Sequence, residues 1–100
     1  MLIVSGRVPV KPERRAEAVT AALKMAAATR AESGCRTYGF YSDLADPNLF
    51  LIYEEWENEA ALTAHFQTPH MAEFNAVIPQ LIAGPPSINR SEVSAVTKLM

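Results

Sequence analysis

The chain has a single cysteine, Cys35, so no internal disulfide framework and no cysteine-rich metal centre can form. It has no surplus of positive charge either. Nine Lys and Arg residues stand against eleven Asp and Glu, a formal net charge of −2, which argues against the basic face of a general nucleic-acid binder. No apolar run approaches the roughly 18–20 residues of a membrane helix. Arg7 and Pro9 interrupt the N-terminal apolar stretch before a signal-type hydrophobic region forms. Glycine is scarce, at four residues, and no GxGxxG, P-loop, CxxC or HExxH pattern occurs. What remains is a 100-residue chain, 49% hydrophobic and 20% charged. That suits one compact domain spanning residues 1–100 and is too apolar for a disordered tail. One lone thiol also suits a reducing compartment, so a cytoplasmic location is expected.

Leu2 to Val8 is rich in β-branched residues and stops at Pro9, which predicts a first strand. Pro12 then opens a helix, with Glu13 suited to its positive end. Ala16, Val19, Leu23, Ala26 and Ala27 recur at helical spacing, and Gly34 supplies a left-handed stop. Arg36–Ser42 and Leu49–Trp56 predict a hairpin about the turn Leu44-Ala45-Asp46-Pro47-Asn48. Asn58 caps a short helix bearing Leu62, His65 and Phe66. Thr68-Pro69 opens another with Met71, Phe74, Ile78 and Leu81, kinked or shortened by Pro79. Gly84-Pro85-Pro86 ends the helical region, and Ser87–Lys98 reads as a polar last strand.

The order β-α-β-β-α-α-β is that of an α+β, ferredoxin-like split βαβ domain, an antiparallel sheet with its helices on one face. The other face is expected to be polar in a monomer. Here it is not, because Leu49, Leu51 and Tyr53 alternate with Phe50, Ile52 and Trp56. Two apolar faces need two covers and the chain has helices for one, so a homodimer joined sheet to sheet is expected.

Both histidines and the only tryptophan fall between Tyr53 and Met71. His65 lies on the apolar stripe of its helix, and histidine is the residue type suited to proton transfer near neutral pH, which makes it the first candidate for a general base. Glu54 shares a strand face with Ile52 and Trp56, where an acid is either paired or has a raised pKa, and either state suits it to orient a histidine. Tyr38, Tyr53, Trp56, His70 and Phe74 are candidates to line a pocket for a flat aromatic ligand, with core packing, or a rim position for His70, as the plainer reading of each. The histidines sit five apart across a proline, so they are no helical metal pair, and no metal site is expected.

The run Tyr53-Glu54-Glu55-Trp56, then Ala60-Ala61-Leu62-Thr63-Ala64-His65 and Thr68-Pro69-His70-Met71, with Glu32-Ser33-Gly34-Cys35-Arg36-Thr37-Tyr38 upstream, resembles the antibiotic biosynthesis monooxygenase family. Its small quinol monooxygenase-like members are the nearest in motif. The resemblance covers roughly Leu2 to Gly84. It implies a dimeric α+β barrel and oxidation of a quinol-like or polyphenolic small molecule by O2 with no cofactor. Such chemistry needs a base, a dry pocket and donors for the developing anion.

Some wider relatives degrade haem through an Asn, Trp and His set. Gly6, His65 and Phe74-Asn75 stand roughly at those places, which argues against haem. Another relative isomerises a phosphorylated autoinducer-2 breakdown product and shares the Thr68-Pro69-His70 turn and a Gly84-Pro85 corner. Its ligand calls for cationic residues, of which Arg7 and Arg36 are the only strand-borne ones before the last strand. A non-catalytic ligand-binding module on the same scaffold is a third reading.

Overall fold

The computed structural model describes residues 1–100. Four strands, β1 (Leu2–Pro9), β2 (Cys35–Ser42), β3 (Leu49–Trp56) and β4 (Ser87–Glu92), form one antiparallel sheet in the order β2-β3-β1-β4. Helices α1 (Arg15–Arg30), α2 (Glu59–Phe66) and α3 (Pro69–Val77) cover one face. This is the ferredoxin-like α+β arrangement expected from the element order. No helix is long and apolar enough to cross a membrane.

Register follows alternation. Leu2 lies opposite Trp56, Val4 opposite Glu54 and Val8 opposite Phe50 across β1 and β3, while Tyr38 faces Glu54 and Phe40 faces Ile52 across β2 and β3. These pairs turn toward the helices and supply most of the core, with Trp56 wholly buried. Ile3, Leu49, Leu51 and Tyr53 turn the other way and stay half-buried beside exposed Ser5 and Arg7. The uncovered face is therefore mixed: an apolar centre on β1 and β3 with polar residues around it.

Local signals set most boundaries. Gly34 leaves the α1 exit turn at φ +84°, the left-handed geometry that glycine adopts without strain. The Asn58 side chain accepts the Ala61 N–H at 2.9 Å, and Thr68 Oγ1 accepts the Met71 N–H at 3.3 Å. Pro79 stops α3 at Val77 and leaves a single tighter turn over Ile78–Gln80.

Two expectations need correcting. The buried stripe of α1 is Ala18, Ala22, Met25, Ala26 and Thr29, while Leu23 is 66% exposed. Alanine surrounds this helix almost evenly, so periodicity gives it little direction, and its small side chains are what let it lie close to the sheet. The last strand ends at Glu92 rather than Lys98, because its only neighbour is β1 and pairing stops where β1 begins, at Leu2 opposite Glu92. Gly6 makes that pairing possible. A Cβ there would lie 2.6 Å from Ile88 Cα, so any larger residue would push β4 away.

Candidate active site

His65 closes α2 and His70 opens α3, two helices joined by the Thr68 corner. The Thr68 hydroxyl donates to the His65 carbonyl at 2.8 Å while capping α3, which fixes how the two helix ends face each other. Glu32 reaches them from the turn after α1. His65 Nδ1 and His70 Nε2 both lie 2.7 Å from the same oxygen, Glu32 Oε2. For two hydrogen bonds both nitrogens must carry protons, so Nε2 of a neutral His65 and Nδ1 of a neutral His70 hold the free lone pairs.

The histidines differ in access. His65 is 1% exposed, its ring 4.7 Å from that of Trp56 and 5.8 Å from that of Tyr38. His70 keeps 21% of its side chain exposed and lines a cleft of about 450 Å³ between α1 and α3. The cleft walls are mainly apolar, with Ala21, Met25, Phe74, Val77 and Leu81 among them. Lys24 and Glu73 pair at 2.5 Å and join the two helices.

Behind the histidines the Trp56 indole N–H donates to Glu54 Oε1 at 2.8 Å. Burial pushes the Glu54 carboxyl up from 4.5 to about 7, against the lowering effect of that bond, and the charge of Glu32 adds to the rise. Burial, then the Glu54 charge, raises the Tyr38 phenol far above its ordinary range. Tyr38 therefore stays protonated. The Cys35 thiol is likewise pushed up, by burial and then by Glu32 and Glu54, which suits inert packing and not nucleophilic attack.

Of the residues singled out from sequence, His65, Tyr38, Trp56 and Glu54 gather in one buried cluster, and His70 and Phe74 line the cleft beside it. Glu54 bonds to Trp56, and the carboxylate that holds the histidines is Glu32. Tyr53 lies apart from all of them. It sits on the opposite face of the sheet and donates to Glu55 at 2.6 Å, a bond that pushes its phenol up to about 12 and, with the Thr37 hydroxyl, draws the Glu55 carboxyl down. Glu32 was the residue that sequence reasoning missed. It lies 33 positions from His65, and its one local signal was its place in the Glu32-to-Tyr38 run before the glycine stop.

The site thus combines a ferredoxin-like sheet, a helix layer that opens into an apolar cleft, and a carboxylate-bound histidine on the wall of that cleft. The chain belongs to the antibiotic biosynthesis monooxygenase family, whose model matches residues 1–77. Among its relatives, YcnE of Bacillus subtilis is 32% identical over 94% of this chain and 99% of its own length. The uncharacterized protein sll1783 of Synechocystis is 37% identical over 98% of this chain and 67% of its own. A solved structure from Deinococcus radiodurans superposes with a TM-score of 0.93 at 29% identity, covering 100% of this chain and 99% of that one. The Bacillus protein is described as a putative monooxygenase, and the Deinococcus protein as a putative antibiotic biosynthesis monooxygenase.

Proposed function

We propose that the chain is a cofactor-free monooxygenase acting on an electron-rich phenol or hydroquinone bound between α1 and α3. One observation carries this reading: His70, held through Nε2 by Glu32, borders an apolar cleft of about 450 Å³. With its Nε2 proton given to Glu32, the ring keeps its Nδ1 lone pair to take the substrate hydroxyl proton. Glu32 then faces the positive charge that develops on the imidazole. His65 has almost no accessible surface, so its part in this scheme is to fix Glu32 from behind.

The phenolate so formed is electron-rich enough to reduce O2 itself. One oxygen atom enters a ring C–H bond, the other leaves as water, and the hydroquinone ends as a hydroxyquinone. All the electrons come from the substrate, so the balance asks for no reductant. The monooxygenase descriptions of the relatives support the same reaction class. Isomerisation of a phosphorylated carbonyl compound is the weaker reading, because the one cation on the cleft wall, Lys24, is already paired with Glu73.

Oxygen consumption is the test, using chelator-treated protein and a panel of hydroquinones. Uptake with hydroxyquinone appearing in equal amount is expected. Turnover that proceeds without oxygen points to the isomerase, and no turnover at all points to a ligand-binding module that has kept the scaffold and lost the chemistry.

Two copies are proposed to pair through the uncovered sheet face, where Ile3, Leu49, Leu51 and Tyr53 are half-buried and Tyr41 is 53% exposed. Aspartate at Leu51 would place an unpaired charge at the centre of that contact. Sedimentation equilibrium is expected to show a species of twice 11.0 kDa for the native chain and one of 11.0 kDa for Leu51→Asp. A native chain that remains folded at 11.0 kDa at micromolar concentration removes the dimer. The free thiol of Cys35 fits a cytoplasmic setting for such a protein.

A further inference from the structure

We propose that Glu32, His65 and His70 form a binding site for one divalent transition-metal ion of the zinc or iron(II) class. The three donor atoms, Glu32 Oε2, His65 Nδ1 and His70 Nε2, all lie within 4.8 Å of one another, and each nitrogen is 2.7 Å from the oxygen. Zinc bonds of about 2.0–2.2 Å place neighbouring donors of a tetrahedral site roughly 3.3–3.6 Å apart. Opening each nitrogen-to-oxygen gap by less than an ångström therefore makes room for an ion where two hydrogen-bonded protons now sit.

The donors come from three separate elements whose relative positions are already set. Glu32 follows α1, His65 ends α2 and His70 begins α3, with the last two locked by the Thr68 corner. Two imidazoles and one carboxylate favour zinc, iron, cobalt, nickel or copper over magnesium and calcium, which prefer all-oxygen ligands. The site is reachable from outside, since the Glu32 and His70 side chains keep 14% and 21% exposure. Three protein ligands leave at least one coordination position free on a tetrahedral ion.

The sequence hides this arrangement because its carboxylate is remote in the chain. It goes beyond the monooxygenase reading and excludes it site by site. A metal on His70 Nε2 forces the ring proton onto Nδ1, the atom that would otherwise accept the substrate proton. The metal-loaded and base-competent forms are thus alternative states of one triad.

The full-length chain, stripped with chelator, is titrated with zinc against a chromophoric chelator and separately with cobalt(II) followed by visible absorption. One ion per chain is expected, with cobalt ligand-field bands of a site containing nitrogen donors. His70→Ala and Glu32→Gln are each expected to weaken zinc binding by about 100-fold or more, at or above the top of the range for merely removing a ligand's outer partner. Glu73→Gln, on the cleft wall but outside the triad, is expected to bind as the native chain does. Absence of saturable binding and of cobalt bands in the native chain overturns the proposal, as does an affinity that folded His70→Ala and Glu32→Gln leave unchanged. Oxygen uptake is measured on stripped protein, so either idea fails without the other.

Discussion

His70→Ala is expected to lower kcat for hydroquinone oxidation by about 10²- to 10⁴-fold, the usual worth of a positioned general base. KM should move little, because the cleft keeps its apolar walls of Ala21, Met25, Phe74 and Val77. Fold and stability should be nearly native, since His70 is partly exposed and its ring makes one hydrogen bond, to Glu32. Removing the ring also leaves a hole beside the substrate. Added imidazole is therefore expected to restore part of the lost rate, an effect that repair of a purely structural defect would not produce. A kcat within about tenfold of native takes His70 out of the proton transfer. Sequence alone favours His65 for this role, and the choice turns on reach. A ring packed 4.7 Å from Trp56 with 1% exposure has no face left for a substrate hydroxyl.

Glu54→Gln is expected to change how stability depends on pH. Burial raises the Glu54 carboxyl from 4.5 to about 7, so the folded chain holds this proton more tightly than the unfolded chain does. As pH rises through that window the unfolded state loses the proton first and stability falls. Above the upper end the loss is complete, at roughly 3 kcal/mol by linkage. Glutamine is neutral, nearly isosteric, and its amide oxygen can still accept the Trp56 indole N–H. The variant should therefore match the native chain near pH 4.5 and exceed it near pH 8 by up to roughly 3 kcal/mol. Urea unfolding at the two pH values measures the difference directly. A gap between the two proteins that does not grow with pH would mean that Glu54 is ionised at little cost in its buried setting.

The sheet was legible because its signals are local and strong. Leu49–Trp56 alternates without a break, Gly34 marks a left-handed turn, and Asn58 and Thr68 are caps followed by helices. Direction was lost where composition is even. The alanines of α1 gave no unique face, so the buried stripe fell on Ala18, Ala22 and Met25 instead of on Val19 and Leu23. The limit of β4 was invisible for another reason: it is set by the length of β1, not by any residue near Glu92. In the site, the two histidines and Trp56 stood out by type, and Phe74 by spacing. Their common partner did not, since the meeting of Glu32 with His65 and His70 exists only once α1 has packed beside α3. The chemistry of Tyr53 suits a pocket, but strand alternation puts it on the far side of the sheet from Trp56.

The amide of Val93 donates to the carbonyl of Met1 at 2.9 Å, just beyond the rung that joins Leu2 to Glu92. Strands far apart in sequence thus meet along one rim of the sheet. β1 is made well before β4, and its outer rim stays bare until that strand, distant in sequence, arrives. Closing so long a loop carries the largest chain-entropy cost in the molecule. Pairing along this rim is therefore expected to form late, which leaves the edge of β1 open to mispairing until it does.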